Sequence, residues 1–257
     1  MQLIDTHCHL TFDDLAGDIE GVIERSRRAG VTTWLTVGTD PSENQKAVEL
    51  TNKFENLYAA VGIHPHDAKD VTADTIIQLK ELAQNVKVVA IGETGLDYYY
   101  DNSPRQDQRR VFAQQLRIAA ELNLPVIIHS RKAFDETIEI LDQHGQDVRK
   151  VVFHCFSGSA EQAKIILSKG YHISFTGVVT FKNANKTREA AKAVPLERLM
   201  LETDCPYMSP EPMRKQKINE PALLIHTAKF LADLKAMDLE DFVQKITATS
   251  RAFFNLT

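Results

Sequence analysis

Six histidines and two carboxylates in this chain stand where apolar, β-branched runs come to an end, and imidazole beside carboxylate is the donor chemistry of a divalent metal site. His7-Cys8-His9 closes the run Leu3–His9, His64-Pro65-His66 follows Leu57–Ile63, and Glu93 lies near the end of Val88–Gly95. His129, His154 and Asp204 lie at or near the ends of Pro125–Ser130, Lys150–Phe156 and Arg198–Asp204. So many polar groups in an apolar interior require a compensating charge, which a divalent cation supplies. Side chains alternate along a strand, so His7 and His9 share one face while Cys8 turns to the other. This reading gives one ion to His7 and His9, with Glu93 and Asp204 as oxygen ligands, and a second ion to His129 and His154. Glu93, between the two groups in strand order, is placed to bridge them. A His-x-His pair alone is equally a pair of satisfied core histidines; the convergence of further ligands favours metal.

Glu202 and Asp5 share the parity of Asp204 and His7 one layer deeper, where each either supports a ligand from behind or is a buried structural carboxylate. Cys155 and Cys205 have the opposite parity, which sets them aside as ligands. His66 and His144 are expected at the surface, His172 at the opposite end of its strand and His226 on a helix.

The elements that must position these groups read as strand and helix in alternation. With Thr32–Gly38 and His172–Val178 the strand-like runs number eight, separated by amphipathic stretches. Ser42 with Gln45 and Ser159 with Gln162 read as capping boxes, and Gly30 and Gly170 stand where helices should stop. Pro104–Leu122 is the longest helical stretch, and Pro221–Lys235 and Leu239–Phe254 add helix at the end. Eight such repeats predict an α/β fold, a (β/α)8 TIM barrel with an additional C-terminal helix, whose active site sits at the carboxyl ends of the strands. Neither GxGxxG nor GxxxxGK[ST] is present, which argues against a doubly wound nucleotide-binding sheet. No linker-like tract interrupts the chain, so residues 1–257 read as a single hydrolase domain.

The 257 residues are 43% hydrophobic and 25% charged, a globular composition long enough to bury a core without a disulfide or a structural metal. A metal site here is therefore expected to be catalytic. Thirty basic and 35 acidic residues leave a net charge of −5, so no globally basic nucleic-acid surface is advertised. Three widely spaced cysteines, no apolar leader after Met1 and no long apolar run predict a cytoplasmic protein that neither crosses a membrane nor requires a protein partner.

The motifs Ile4-Asp5-Thr6-His7-Cys8-His9, Gly62-Ile63-His64-Pro65, Gly92-Glu93-Thr94-Gly95-Leu96-Asp97, His129-Ser130-Arg131, His154-Cys155-Phe156-Ser157-Gly158 and Leu201-Glu202-Thr203-Asp204-Cys205-Pro206-Tyr207 together resemble the TatD family of metal-dependent deoxyribonucleases within the amidohydrolase superfamily. The resemblance implies a barrel with two divalent ions (zinc, manganese or magnesium), His7, His9, Glu93 and Asp204 on one and Glu93, His129 and His154 on the other. It also implies hydrolysis of DNA phosphodiester bonds, commonly from 3′ to 5′. One loop departs from the family pattern P-x-P-x-R-G-K-x-N-x-P: Pro210–Pro221 lacks the glycine and is one residue longer, while Arg214, Asn219 and Pro221 are kept.

On that reading Asp204 accepts the proton of the attacking water, Glu93 holds the ions together, and His64 meets the substrate phosphate or leaving group, a structural hydrogen bond being its other use. Arg131 and Arg214 are placed to neutralise phosphates, and Lys215 and Lys217 lie nearby in sequence, whereas Lys182 and Lys186 read as solvated charges. The acidic net charge favours a strand end or short oligonucleotide over a long duplex, and Tyr98, Tyr99 and Tyr100 either stack on a base or pack on a neighbouring loop. The competing activity is ester or amide hydrolysis by the same chemistry, an aminoacyl-tRNA deacylase above all. A cyclic-amide hydrolase is disfavoured, because Glu93 stands where many such enzymes carry a carboxylated lysine.

Overall fold

The computed structural model describes residues 2–256. Its strands are β1 (Leu3–Cys8), β2 (Val31–Val37), β3 (Leu57–Val61), β4 (Val88–Asp97), β5 (Val126–Arg131), β6 (Val151–Phe153), β7 (His172–Phe175) and β8 (Leu199–Leu201). They follow one another in one sheet in chain order, with parallel pairing. Helix separates each strand from the next, and Leu224–Leu234 and Leu239–Phe254 follow β8. This is the element order of a (β/α)8 barrel, the class read from the sequence.

Two compact units divide the contacts. One runs to Thr36 and resumes at Cys155; the other is Val37–His154. In the first, Leu3, Trp34, Phe175 and Phe242 are buried, and the Trp34 indole donates to Ser26 Oγ at 3.1 Å. In the second, Leu57, Ile91, Phe112 and Phe153 are buried. Burying a side chain of this size stabilises by about 1.5–3 kcal/mol, so these apolar layers, and not the polar site, hold each unit together.

Helix ends follow local chemistry. Ser159 and Gln162 form a reciprocal capping box, Gly30 and Gly170 take positive φ after their helices, and Arg105–Leu122 ends in left-handed Asn123. Ser42 is a correction: the helix Pro41–Thr51 is capped by Asp40, whose carboxylate accepts from the N–H groups of Ser42 and Glu43. Proline at the first helical position moves the start two residues earlier than an N-cap at Ser42 implies.

Strand limits differ from the sequence reading in a way that matters for the site. β6 stops at Phe153 and β8 at Leu201, so His154 and Asp204 lie on turns beyond their strands, whereas β4 runs on to Asp97. Cys155 and Asp204 adopt φ of 45° and 54°, a left-handed conformation that no strand continues and that costs a non-glycine residue of order 1–3 kcal/mol.

Candidate metal centre

In the first unit three ligand atoms converge. His7 and His9 present their Nε2 atoms 3.3 Å apart, and Asp204 Oδ1 lies 3.3 Å from His9 Nε2 and 3.8 Å from His7 Nε2. Ligands held at about 2.0–2.2 Å around a tetrahedral ion are about 3.3–3.6 Å apart, so this donor set fits a divalent cation. The backbone makes the fit. Asp204 N–H donates to the His7 carbonyl and His9 N–H to the Cys205 carbonyl, each at 2.9 Å, which stitches the turn after β8 along β1. Cys8 turns away and donates to the Leu35 carbonyl, as the alternation requires.

Behind these ligands, Asp5 accepts from Thr203 N–H at 2.9 Å and from Thr203 Oγ1 at 2.5 Å, fixing the residue before Asp204. Burial pushes the Asp5 carboxyl up to about 7 against those bonds. Glu202 accepts from Cys155 N–H at 2.5 Å and from Ser174 Oγ at 2.6 Å. Asn219, one of the residues kept in the altered loop, is fully buried and donates to the carbonyls of Thr203 and Tyr207. Arg214 in that loop is exposed, its guanidinium 4.0 Å from the Phe181 ring centre.

In the second unit the centre is Glu93. Its Oε1 lies 2.6 Å from His129 Nδ1, 2.7 Å from His154 Nε2 and 3.4 Å from His64 Nε2, while His129 Nδ1 and His154 Nε2 are 3.4 Å apart. The two imidazole nitrogens have the spacing of metal ligands, and the carboxylate is close enough for either hydrogen bonding or shared ligation. Burial opposes charge on Glu93, yet the imidazoles of His154, His64 and His129 hold its carboxyl well below the usual range. Burial drives His64 down to about 4. Its Nδ1 accepts from His66 N–H at 3.2 Å, so neutral His64 carries its proton on Nε2, toward Glu93.

Buried amides set the backbone around this centre. Asn44 pairs with both N–H and carbonyl of Gly62, and Gln115 with both of Ile63 and also with Thr94 Oγ1, which fixes the residues just before His64 and just after Glu93. Gly95 has φ +140°, and a Cβ there would collide with the His129 carbonyl, so only glycine allows β4 and β5 to close up beside the ligands.

Two residues here escaped the sequence reading. Asp97 is fully buried and accepts from the rings of both His66 and His129; His66, expected at the surface, is half-buried with its Nε2 3.0 Å from Asp97 Oδ2. Their signal was parity, since 93, 95 and 97 share a face once β4 is two residues longer. His144 is likewise only partly exposed, at the end of its helix, and His172 packs its ring against Phe253. Tyr98 takes the packing role, with its hydroxyl on Glu136 and Arg105 over its ring. Tyr99 and Tyr100 are more than half exposed, and the Arg131 guanidinium lies 4.3 and 4.7 Å from their ring centres. Lys182 and Lys186 are exposed, as expected of solvated charges.

The whole fold has known counterparts. The TatD homologue YJJV of Escherichia coli superposes with a TM-score of 0.93 at 32% identity, covering 99% of this chain and 98% of its own. A metal-dependent hydrolase, YabD of Bacillus subtilis, is 41% identical over 99% of both chains, and a 3'-5' ssDNA/RNA exonuclease TatD of Erwinia amylovora is 35% identical over 99% of this chain and 100% of its own. Fold and ligand chemistry thus define a (β/α)8 metal-dependent hydrolase. Residues 4–255 match the family described as TatD related DNase, and the chain belongs to it.

Proposed function

We propose that the chain is a nuclease that removes nucleotides from the 3′ end of single-stranded nucleic acid with up to two divalent ions, one held by His7, His9 and Asp204 and the other by Glu93, His129 and His154. The observation that supports it most is the spacing of the imidazole nitrogens, 3.3 Å for His7 and His9 and 3.4 Å for His129 and His154, with a carboxylate oxygen against each pair. The substrate follows the relative named as a 3'-5' ssDNA/RNA exonuclease. When bound, such ions polarise the phosphate and lower the pKa of water; zinc, manganese and magnesium all accept this ligand type.

The chain's own residues do the rest. Asp204, about 11% exposed at its side chain, is the candidate general base for the attacking water. Glu93 keeps His129 and His154 in register. His64 presents an Nε2–H that suits an ester or leaving oxygen. Arg214 and Arg131 supply fixed positive charge for phosphates, and Arg131 with Tyr99 and Tyr100 forms one cationic, aromatic surface on which a terminal base fits. A cytoplasmic setting suits the three free cysteines, and no helix among the described residues is long and apolar enough to cross a membrane.

One assay separates the nuclease from an ester hydrolase of the same superfamily. Metal-loaded protein is offered a single-stranded DNA oligonucleotide and, separately, aminoacyl-tRNA. Shortening of the oligonucleotide with the aminoacyl ester left intact is the expected result; deacylation without shortening contradicts it.

A further inference from the structure

Asp97 is a buried carboxylate saturated by donors. Oδ1 accepts from the N–H groups of Tyr99 and Tyr100, each at 2.9 Å, and Oδ2 lies 3.0 Å from His66 Nε2 and 3.2 Å from His129 Nε2. Its backbone is held as firmly: Gln108 accepts from Asp97 N–H at 2.8 Å and donates to the Asp97 carbonyl at 3.2 Å. The residue cannot swing away without breaking contacts at both ends.

His129 meets this carboxylate with one ring nitrogen and Glu93 with the other. A neutral imidazole has one N–H and one lone pair, and a carboxylate only accepts. Without an ion both ring nitrogens face carboxylates and Nδ1 donates to Glu93 at 2.6 Å; an ion can take the place of that proton only if the ring keeps its other one on Nε2, toward Asp97. We infer, resting on the metal reading of that cluster, that Asp97 is a positioning residue for His129: it fixes the proton on Nε2 and so leaves the Nδ1 lone pair facing the ion. The geometry is the carboxylate–histidine–metal arrangement, in which the outer carboxylate orients the ring and raises its basicity.

The Tyr99 and Tyr100 amides make this selective. Two backbone donors face one side of the Asp97 carboxylate, so in Asp97→Asn the carboxamide oxygen stays with them and the NH2 turns toward the rings. His129 Nε2 must then accept, the one proton of the ring stays on Nδ1 against Glu93, and the lone pair that would hold the ion is lost. Asp97→Asn thus keeps shape while reversing the tautomer.

The test uses metal-free full-length protein, nitrogen-15 labelled on histidine, and Mn2+ as titrant by calorimetry. The metal-free wild type should show His129 protonated on Nε2 as well as on Nδ1 and Asp97→Asn should show it protonated on Nδ1 alone, with one Mn2+ binding event weakened by about 10–100-fold and the other unchanged. Adding Asp97→Ala to His129→Ala should weaken the remaining event no further. A His129 proton that stays on Nε2 in Asp97→Asn, an unchanged affinity, or an equal further loss in the His129→Ala background overturns the inference. If the wild type binds no Mn2+, the metal reading fails, while the tautomer measurement still decides what Asp97 does to His129.

Discussion

Asp204 Oδ1 stands 3.3 Å from His9 Nε2 although 195 positions of chain separate the two residues. The approach is set by backbone, through Asp204 N–H on the His7 carbonyl and His9 N–H on the Cys205 carbonyl, and by Asp5 gripping Thr203. On the proposed function, a carboxylate held this way, in a left-handed conformation just past its strand, would serve both ligation and proton transfer.

Asp204→Asn keeps the shape and removes the proton acceptor. Turnover on single-stranded DNA should fall by roughly 10²–10⁴, with circular dichroism and at least one bound ion preserved. Turnover near the parent rate would make Asp204 a ligand only and move the general base elsewhere, first to His64.

Glu202→Gln should act on stability more than on chemistry. Glu202 accepts from Cys155 N–H and from Ser174 Oγ; in the glutamine the oxygen can keep Cys155, but the NH2 meets Ser174 only as a donor, so the Ser174 hydroxyl hydrogen loses its acceptor. The unsatisfied donor costs about 1–3 kcal/mol. The melting temperature should drop by roughly 2–4 °C for each of those kcal/mol, while kcat changes far less than in Asp204→Asn.

Tyr99→Leu removes an exposed ring from beneath Arg131. If a terminal base stacks there, KM for a single-stranded oligonucleotide should rise roughly tenfold, since stacking is worth about 1–3 kcal/mol per base, with kcat little changed. Hydrolysis of bis(p-nitrophenyl) phosphate, which carries no nucleobase, should be unaffected. Equal KM values for the oligonucleotide would return Tyr99 to loop packing.

Arg214→Ala should raise KM and flatten its dependence on salt, because arginine stays protonated and its fork matches phosphate oxygens. One lost phosphate contact reduces the slope of log affinity against log salt by about 0.7 on a single strand. An unchanged slope would mean that Arg214 only covers the Phe181 ring.

The sheet order was legible because eight apolar runs alternate with helical stretches, and the shared face of His7 and His9 because side chains alternate along a strand. The limits of β4, β6 and β8 were not. Cys155 and Asp204 are left-handed without being glycine, and apolar patterning carries no sign of that, so the sequence alone puts His154 and Asp204 on strands. Stopping β4 at Gly95 left Asp97 without a role, and His66 went to the surface with it, since its partner is Asp97. Asn44, Gln108 and Gln115 were invisible for another reason: they sit on helices, where a polar residue ordinarily faces water, and only the fold turns them toward the backbone of the site.

Metal-dependent removal of nucleotides from a 3′ end is tested most directly on a denaturing gel of a 5′-labelled single-stranded oligonucleotide. Chelator-stripped protein should leave the oligonucleotide intact. Adding back Mn2+ should produce a ladder that shortens one nucleotide at a time, absent from the Asp204→Asn protein. A full-length oligonucleotide after metal is restored, or the same ladder in the presence of excess chelator, would contradict the proposed activity.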